Sequence, residues 1–342
     1  MTLVVATRGV GAALLRHHPD LDHLIETADP LHGAGGLLAA ARGLAGELSR
    51  RGLRPDCVLT GASDQRSRIA VLGLLSCGGW RGGFTQTPGL YHRPLQRRSD
   101  LSLIDNNLRL AGLVGCEGAH CEPRVYFSSE DVVRVRAMVE ALRGPAEVGR
   151  PLLLMVTQNS GGQRTGWHAE RFAEVIRYAA MNLGCAILYV GTAAEGGAIE
   201  VLREQAGNLG TSLAGCTAAT ELAALLALSD FVITLDTGTM HVGRAVGVPM
   251  VVLGPSWQSP LEWLPLGLPQ VRICRGEDRS EIPENYRLDE VSAAQVIAAL
   301  RELMAAYPAS EDARARRVER STSGIDHRNR PALDQRCATV SR

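Results

Sequence analysis

Hydrophobic positions change period repeatedly along this 342-residue chain. Short apolar runs at 3–6, 57–60, 152–156, 186–190, 231–235, 249–253 and 271–274 are flanked by turn-forming residues and read as strands, with a shorter one at 212–214. Between them, apolar residues recur at helical spacing over 35–48, 67–75, 103–113, 128–143, 168–181, 198–205, 220–228, 240–246 and 290–306. Ser129, ahead of Glu130 and Asp131, reads as a helix cap. Val296, Ile297, Leu300, Leu303 and Met304 form the apolar side of the 290–306 helix. Strands alternating with helices predict parallel sheets covered on both faces. Residues 144–150, GPAEVGR, break every period and predict a linker between an N-terminal domain, 1–143, and a C-terminal domain, 150–308. From residue 309 the chain loses apolar content, which predicts a disordered tail over 309–342.

Composition narrows the classes. A hydrophobic fraction of 45% with 21% charged residues suits a globular protein. A net charge of zero gives no electrostatic case for nucleic acid. The 36 basic residues are all arginine, so no step can use a lysine; GC-rich coding explains this better than function does. Eight cysteines form no CxxC pair and read as reduced thiols of a cytoplasmic protein. Cys116, His120 and Cys121 lack a fourth ligand nearby, so neither a metal nor another cofactor is expected. No secretory leader is visible and no run approaches the roughly 20 apolar residues that span a bilayer, so a soluble or at most peripheral protein is expected.

The chemistry concentrates in 231–256, FVITLDTGTMHVGRAVGVPMVVLGPS. A strand runs into Asp236-Thr237-Gly238-Thr239, a short helix begins, and a second strand ends at Gly254-Pro255. This layout aims helix-start N–H groups, including that of Met240, at an anion, with the helix dipole favouring its charge. His241 lies within reach of the same pocket. Asp236 as a plain helix cap and His241 as a core histidine are the structural alternatives.

Asp-Thr-Gly-x-x-His, a small-residue helix, Gly-x-Pro and a strand ending in Gly-Pro together resemble the donor signature of glycosyltransferase family 9, the lipopolysaccharide heptosyltransferases. The resemblance continues upstream through 218–225, Asn159-Ser160-Gly161 and 167–172, covering about residues 17–306. It implies the GT-B architecture: two Rossmann-like, doubly wound α/β domains facing a central cleft, acceptor on the N-terminal side and nucleotide sugar on the C-terminal side. It also implies an inverting transfer of heptose, or a similar sugar, from an ADP-activated donor to a lipopolysaccharide core or related glycan, at the inner face of the inner membrane.

Four loops after C-terminal strands hold the donor candidates. Ser160 and Arg164 follow 152–156; the family has a lysine where this chain has Thr165, leaving Arg164 as the nearest cation, a phosphate ligand or a solvated loop residue. Glu195 stands where family members place a ribose-binding glutamate, and also where an acid would favour a helix dipole. Asp236, Thr237, Gly238, Thr239, Met240 and His241 make the third loop, and Gly254 to Ser256 the fourth. On the acceptor side, Arg66 follows the 57–60 strand and can meet acidic groups, with Ser63 or Asp64 as a cap in the alternative; His92 and Arg93 form a second polar loop.

The chain departs from the family at its front. Members open with a strand and a Gly-Asp loop whose aspartate is the base, whereas residues 1–23 here resemble the family's second strand and its His-Pro-Asp turn. Asp64 is the one replacement the sequence offers. A non-catalytic nucleotide-sugar-binding protein is the rival reading, and a GT-B-like epimerase or hydrolase a third.

Overall fold

The computed structural model describes residues 1–323 except 32, 77, 117–119, 144–146 and 160–165. It divides into two units, the first 1–121 and the second beginning at Glu122. Every strand pair among the described residues is parallel.

The second unit is organised by its strands' continuous apolar runs. β6 (Leu152–Val156), β7 (Ala186–Tyr189), β8 (Thr211–Ser212), β9 (Phe231–Leu235), β10 (Met250–Leu253) and β11 (Val271–Cys274) form one sheet in the order β11-β10-β9-β6-β7-β8. Chain order reverses between β9 and β6, the place where open α/β sheets bind ligands. All residues of β6, β7, β9 and β10 are buried. Leu153, Met155, Ile187, Phe231, Ile233 and Val251 share one core with Phe172, Val175 and Ile176 of α6 (Ala169–Met181), Ile199 of α7 (Gly196–Gln205) and Val296 and Leu300 of α11 (Ala293–Ala306). Their neighbours Leu154, Leu188, Val232 and Val252 point to the opposite face and are equally buried.

Two sequence expectations are corrected in this unit. α5 (Ser129–Leu142) belongs to it, so the division falls before α5 and not at 144–150. The reason is packing: Val132, Val135 and Val139 are buried, α5 rests on α8 (Ala219–Leu228), and Arg134 Nε donates to Glu221 Oε1 at 2.8 Å. Its cap is Ser128, whose hydroxyl accepts from the Asp131 amide, and not Ser129.

The second correction concerns the expected tail, because residues Glu311–Thr322 form α12. Arg314, Arg317 and Arg320, three apart, share one face and dock it. Arg314 Nη1 donates to both oxygens of Asp230, at 2.6 and 2.8 Å. Arg317 donates to the carbonyls of Ala227 and Ser229 at the end of α8. Arg320 reaches the Ala245 carbonyl at 2.7 Å, near the end of α9 (Gly238–Val246). Cations at helix C-termini complement both the orphan carbonyls and the dipole. Burial pushes the Arg317 guanidinium down to about 10. Asp230 also accepts from the Leu152 amide at 2.8 Å, tying α12 to the starts of β6 and β9. At the end of α12, the Ser321 carbonyl accepts from the Phe127 amide (3.3 Å). Residues 324–342 of the expected tail lie outside the described residues.

The first unit holds two separate sheets. β1 (Val4–Thr7) pairs with β2 (His23–Glu26), with α1 (Gly9–Leu15) and α2 (Gly33–Arg50) following in turn. β3 (Cys57–Thr60), β4 (Trp80–Phe84) and β5 (Arg93–Leu95) make the other, with α3 (Ser67–Ser76) and α4 (Leu103–Leu113). Gly83 has φ +122°, and a Cβ there would meet the Thr60 carbonyl at 2.4 Å, so only glycine lets β4 lie against β3. The shared core is small, Ile25, Leu44 and Leu48 with Val4, Leu53 and Leu72 against them.

Candidate active site

The loops after β6, β7, β9 and β10 leave the carboxyl edge of four adjacent parallel strands. Sequence reasoning expected these four loops to converge, and the strand order makes them neighbours. Ser160 and Arg164, in the loop after β6, lie outside the described residues.

The β9–α9 turn is the best-formed part. Thr237 is the N-cap residue in extended conformation, yet its side chain caps nothing: its Oγ1 is buried and has no hydrogen-bond partner among the described residues. The Thr237 carbonyl accepts from the Met240 amide (3.1 Å) and the His241 amide (3.4 Å). The amides of Gly238 and Thr239 therefore remain as the orphan donors of the helix start, and the Met240 amide, expected to join them, is already occupied. A Cβ built on Gly238 meets nothing within 4 Å, and its φ is not positive. The fold does not need glycine there; the space outside it is what a bare Cα keeps open. α9 ends at Gly247, which caps it at φ +82°.

Asp236, at the end of β9, lines a small pocket with Pro255, Gln258, Ser259, Trp263 and Leu264. Burial, with Glu262 adding to it, pushes its carboxyl up to about 6. His241 is also largely enclosed, its ring tilted against that of Trp263 at 5.7 Å. Burial, followed by the Arg244 charge, lowers its pKa, so the imidazole is neutral at physiological pH. It offers hydrogen bonds and not the positive charge that phosphate contact would favour. Arg244 is committed to Glu122 through two bonds of 2.7 and 2.9 Å.

Glu195 caps its own turn. The Thr192 amide donates to Glu195 Oε2 at 2.6 Å, completing a capping box across the short 3₁₀ turn Ala193–Glu195. This is the local-structure alternative made explicit, and it leaves Oε1 at the carboxyl edge of β7. Trp167, part of the upstream resemblance, is a core residue: its indole donates to the Val291 carbonyl (2.9 Å) and meets Phe172 edge-on. His168 and Arg171 hold the same 289–291 segment through Asp289 and the Val291 carbonyl.

Sequence reasoning named Ser256 only as the end of the fourth loop, and missed Trp263, Tyr286 and Glu290. Tyr286 stands 2.9 Å from Ser256 Oγ and donates to Glu290 Oε1 at 2.6 Å, which fixes the loop after β10. The signal available was WQSPLEW, which places two of four tryptophans directly after the signature.

In the first unit the acceptor candidates separate. Asp64 and Arg66 form a two-pronged ion pair beyond β3, at 2.9 and 2.7 Å. The Arg66 hydrogen bond holds the Asp64 carboxyl below its ordinary range, which makes it a poor proton acceptor. His92 accepts from the Arg81 amide through Nδ1 (3.1 Å), level with the body of β4, and Arg93 lies over the Trp80 ring at 5.7 Å. Neither joins Arg66. Arg8, paired with Asp29 at 2.6 Å beyond β1, does, since its charge acts on Asp64. Arg8, Asp29, Asp64 and Arg66 thus share the carboxyl edge of this unit.

Known proteins share this fold. Solved structures of similar fold include a glycosyl transferase family 9 protein of Veillonella parvula DSM 2008, with 19% identity and TM-score 0.76 over 89% of this chain and 88% of the other. They also include ADP-heptose LPS heptosyltransferase II of E. coli, with 18% identity and TM-score 0.69 over 90% and 91%. A third is E. coli heptosyltransferase WaaC with ADP-2-deoxy-2-fluoro heptose, with 17% identity and TM-score 0.61 over 87% and 88%. No curated protein sequence matches significantly. The fold is that of the GT-B glycosyltransferases. The sequence profile of glycosyltransferase family 9 (heptosyltransferase) matches residues 79–292, and the chain belongs to that family.

Proposed function

We propose that this chain is an inverting glycosyltransferase that moves heptose, or a similar sugar, from an ADP-activated donor to a lipopolysaccharide core or related glycan. One observation carries the reading: the orphan amides of Gly238 and Thr239 stand at the open space beside Gly238, next to a buried, unpartnered Thr237 hydroxyl, at the sheet's reversal point. Helix-start donors fixed in advance stabilise a departing diphosphate without reorganising and without a cation. Ser160, Arg164, Asp236, Met240 and His241 border the donor in this reading, and Glu195 Oε1 is the ribose acceptor. Arg66, with Arg8 beside it, meets acidic groups of the acceptor, while His92 and Arg93 contribute only to an extended glycan. The reaction is placed at the cytoplasmic face of the inner membrane; no helix among the described residues is long and apolar enough to cross a bilayer.

The Asp64–Arg66 pair favours one rival, a nucleotide-sugar-binding protein without turnover, because it leaves Asp64 unfit as the base. Calorimetric titration with ADP decides the donor site. Gly238→Val should abolish ADP binding and leave the melting temperature nearly unchanged, since the new side chain has room in the fold but none beside a phosphate. Wild-type protein that ignores ADP ends the proposal. Binding without transfer to any lipopolysaccharide core acceptor selects the rival.

A further inference from the structure

Asp236 is the feature of the second unit that donor binding as described above leaves unexplained. It directly precedes the turn whose amides await an anion, and neither of its oxygens has a hydrogen-bond donor among the described residues. Among the described residues, the pocket it lines offers it no cation. Glu262 on α10 (Pro260–Trp263) acts on it with a like charge. His241 on α9 is neutral, and Arg244 on the same helix is held by Glu122. Arg275, beyond β11, donates to the Pro255 and Gln258 carbonyls that border the pocket, and its charge is matched by Asp278 at 2.7 Å. Trp263, Leu264 and Pro255 add only apolar surface.

A doubly charged diphosphate on the Gly238 and Thr239 amides binds two and three residues along the chain from this carboxylate, on the turn that its strand leads into. Two like charges in a partly dry site cannot both persist when one of them can take a proton. At about 5 Å and an effective dielectric near 20, even one unit of ligand charge raises the carboxylate's affinity for a proton roughly a few hundredfold, and the second charge adds to it. In the free protein burial already brings the group to about 6, so it is ionised at pH 7.5 and close to changing state.

We propose that the nucleotide diphosphate binds together with one proton, taken from solvent and held on Asp236, whose neutral carboxyl then donates a hydrogen bond to the diphosphate. The inference rests on the donor-site reading above and deepens it. The proton adds to a carboxylate oxygen as the ligand docks and returns to solvent on release, so the cycle consumes none.

The test is calorimetric titration with ADP at pH 7.5 in buffers of different ionisation enthalpy, for wild type and Asp236→Asn. Wild type should take up close to one proton more per ADP than the variant, a difference that cancels the nucleotide's own titration. Wild-type affinity should fall by about tenfold per pH unit above the free value, while the variant stays flat apart from the nucleotide's own contribution. Infrared difference spectra of unmodified protein should gain a protonated-carboxyl band on adding ADP, so the idea stands or falls even if the variant does not fold. Equal proton uptake in both proteins, or no such band, overturns this proposal and leaves the donor site intact. Wild type that does not bind ADP at all overturns both.

Discussion

The two units are built from the same alternation and differ in how their sheets are finished. In the second, six strands share one sheet, and four have every residue buried. In the first, five strands fall into two sheets; no residue of β1 is buried, and Leu59 on β3 is 36% exposed. β1 and β3 each end their own sheet, where the second unit has continuous pairing. The difference teaches that a strand's rigidity comes from its neighbours. The turn that presents orphan amides stands on the continuous sheet, whereas the ion pairs of the first unit stand on short, half-covered strands.

The largest expected effect probes that contrast. Ile233→Ala should cost about 3 kcal/mol in urea unfolding, the loss of transfer energy plus a cavity, and Leu59→Ala under about 1 kcal/mol. Equal costs would dissolve the contrast. Arg314→Ala comes next, at about 2 kcal/mol, because it leaves Asp230, only 4% exposed, charged with the Leu152 amide as its remaining donor. A stability unchanged by that substitution would show α12 to be an ornament on the second unit. His241→Ala should weaken ADP binding about tenfold, the scale of one hydrogen bond and a lost ring contact with Trp263. An affinity within twofold of wild type would confine the histidine to the core.

The last effect depends on pH. The folded state raises the Asp236 carboxyl from 3.8 to about 6, so folding binds its proton more tightly than the unfolded chain does. The stability this group contributes is full below about pH 4 and is lost as pH rises through 6. Asp236→Asn, which never ionises, should therefore melt at a higher temperature than wild type at pH 8. That advantage should shrink toward pH 4. A constant offset between the two melting curves would mean that the carboxyl is not perturbed.

Legibility in the sequence followed the same division. The donor turn was readable because residues 231–235 are a continuous apolar run and the polar residues after them are contiguous. β2, β4 and β5 escaped notice: β4 reads WRGGF and carries two glycines where a strand signal expects branched residues. α12 escaped because its docking face is arginine, so no hydrophobic period marks it, although arginines three apart after Ser310-Glu311-Asp312 were there to be read. The Trp263–His241 contact joins residues 22 positions apart in sequence through a four-residue helix, and no spacing rule reaches that far. Glu195 has two roles in the sequence that spacing cannot separate, because a cap and a ligand use the same carboxylate.

The bond from the Phe127 amide to the Ser321 carbonyl means that the second unit starts and finishes at one point on its surface. Topologically its described chain is a ring closed at that bond. Such a body can be excised as residues 122–323 and folded alone, or have its ends joined and be reopened elsewhere. The turn at Gly207, Asn208 and Gly210, where all three residues have positive φ, is a natural place to cut, since it sits between α7 and β8, far in sequence from the donor turn. A permuted second unit opened there would carry the β9–α9 turn and its orphan amides as a portable module.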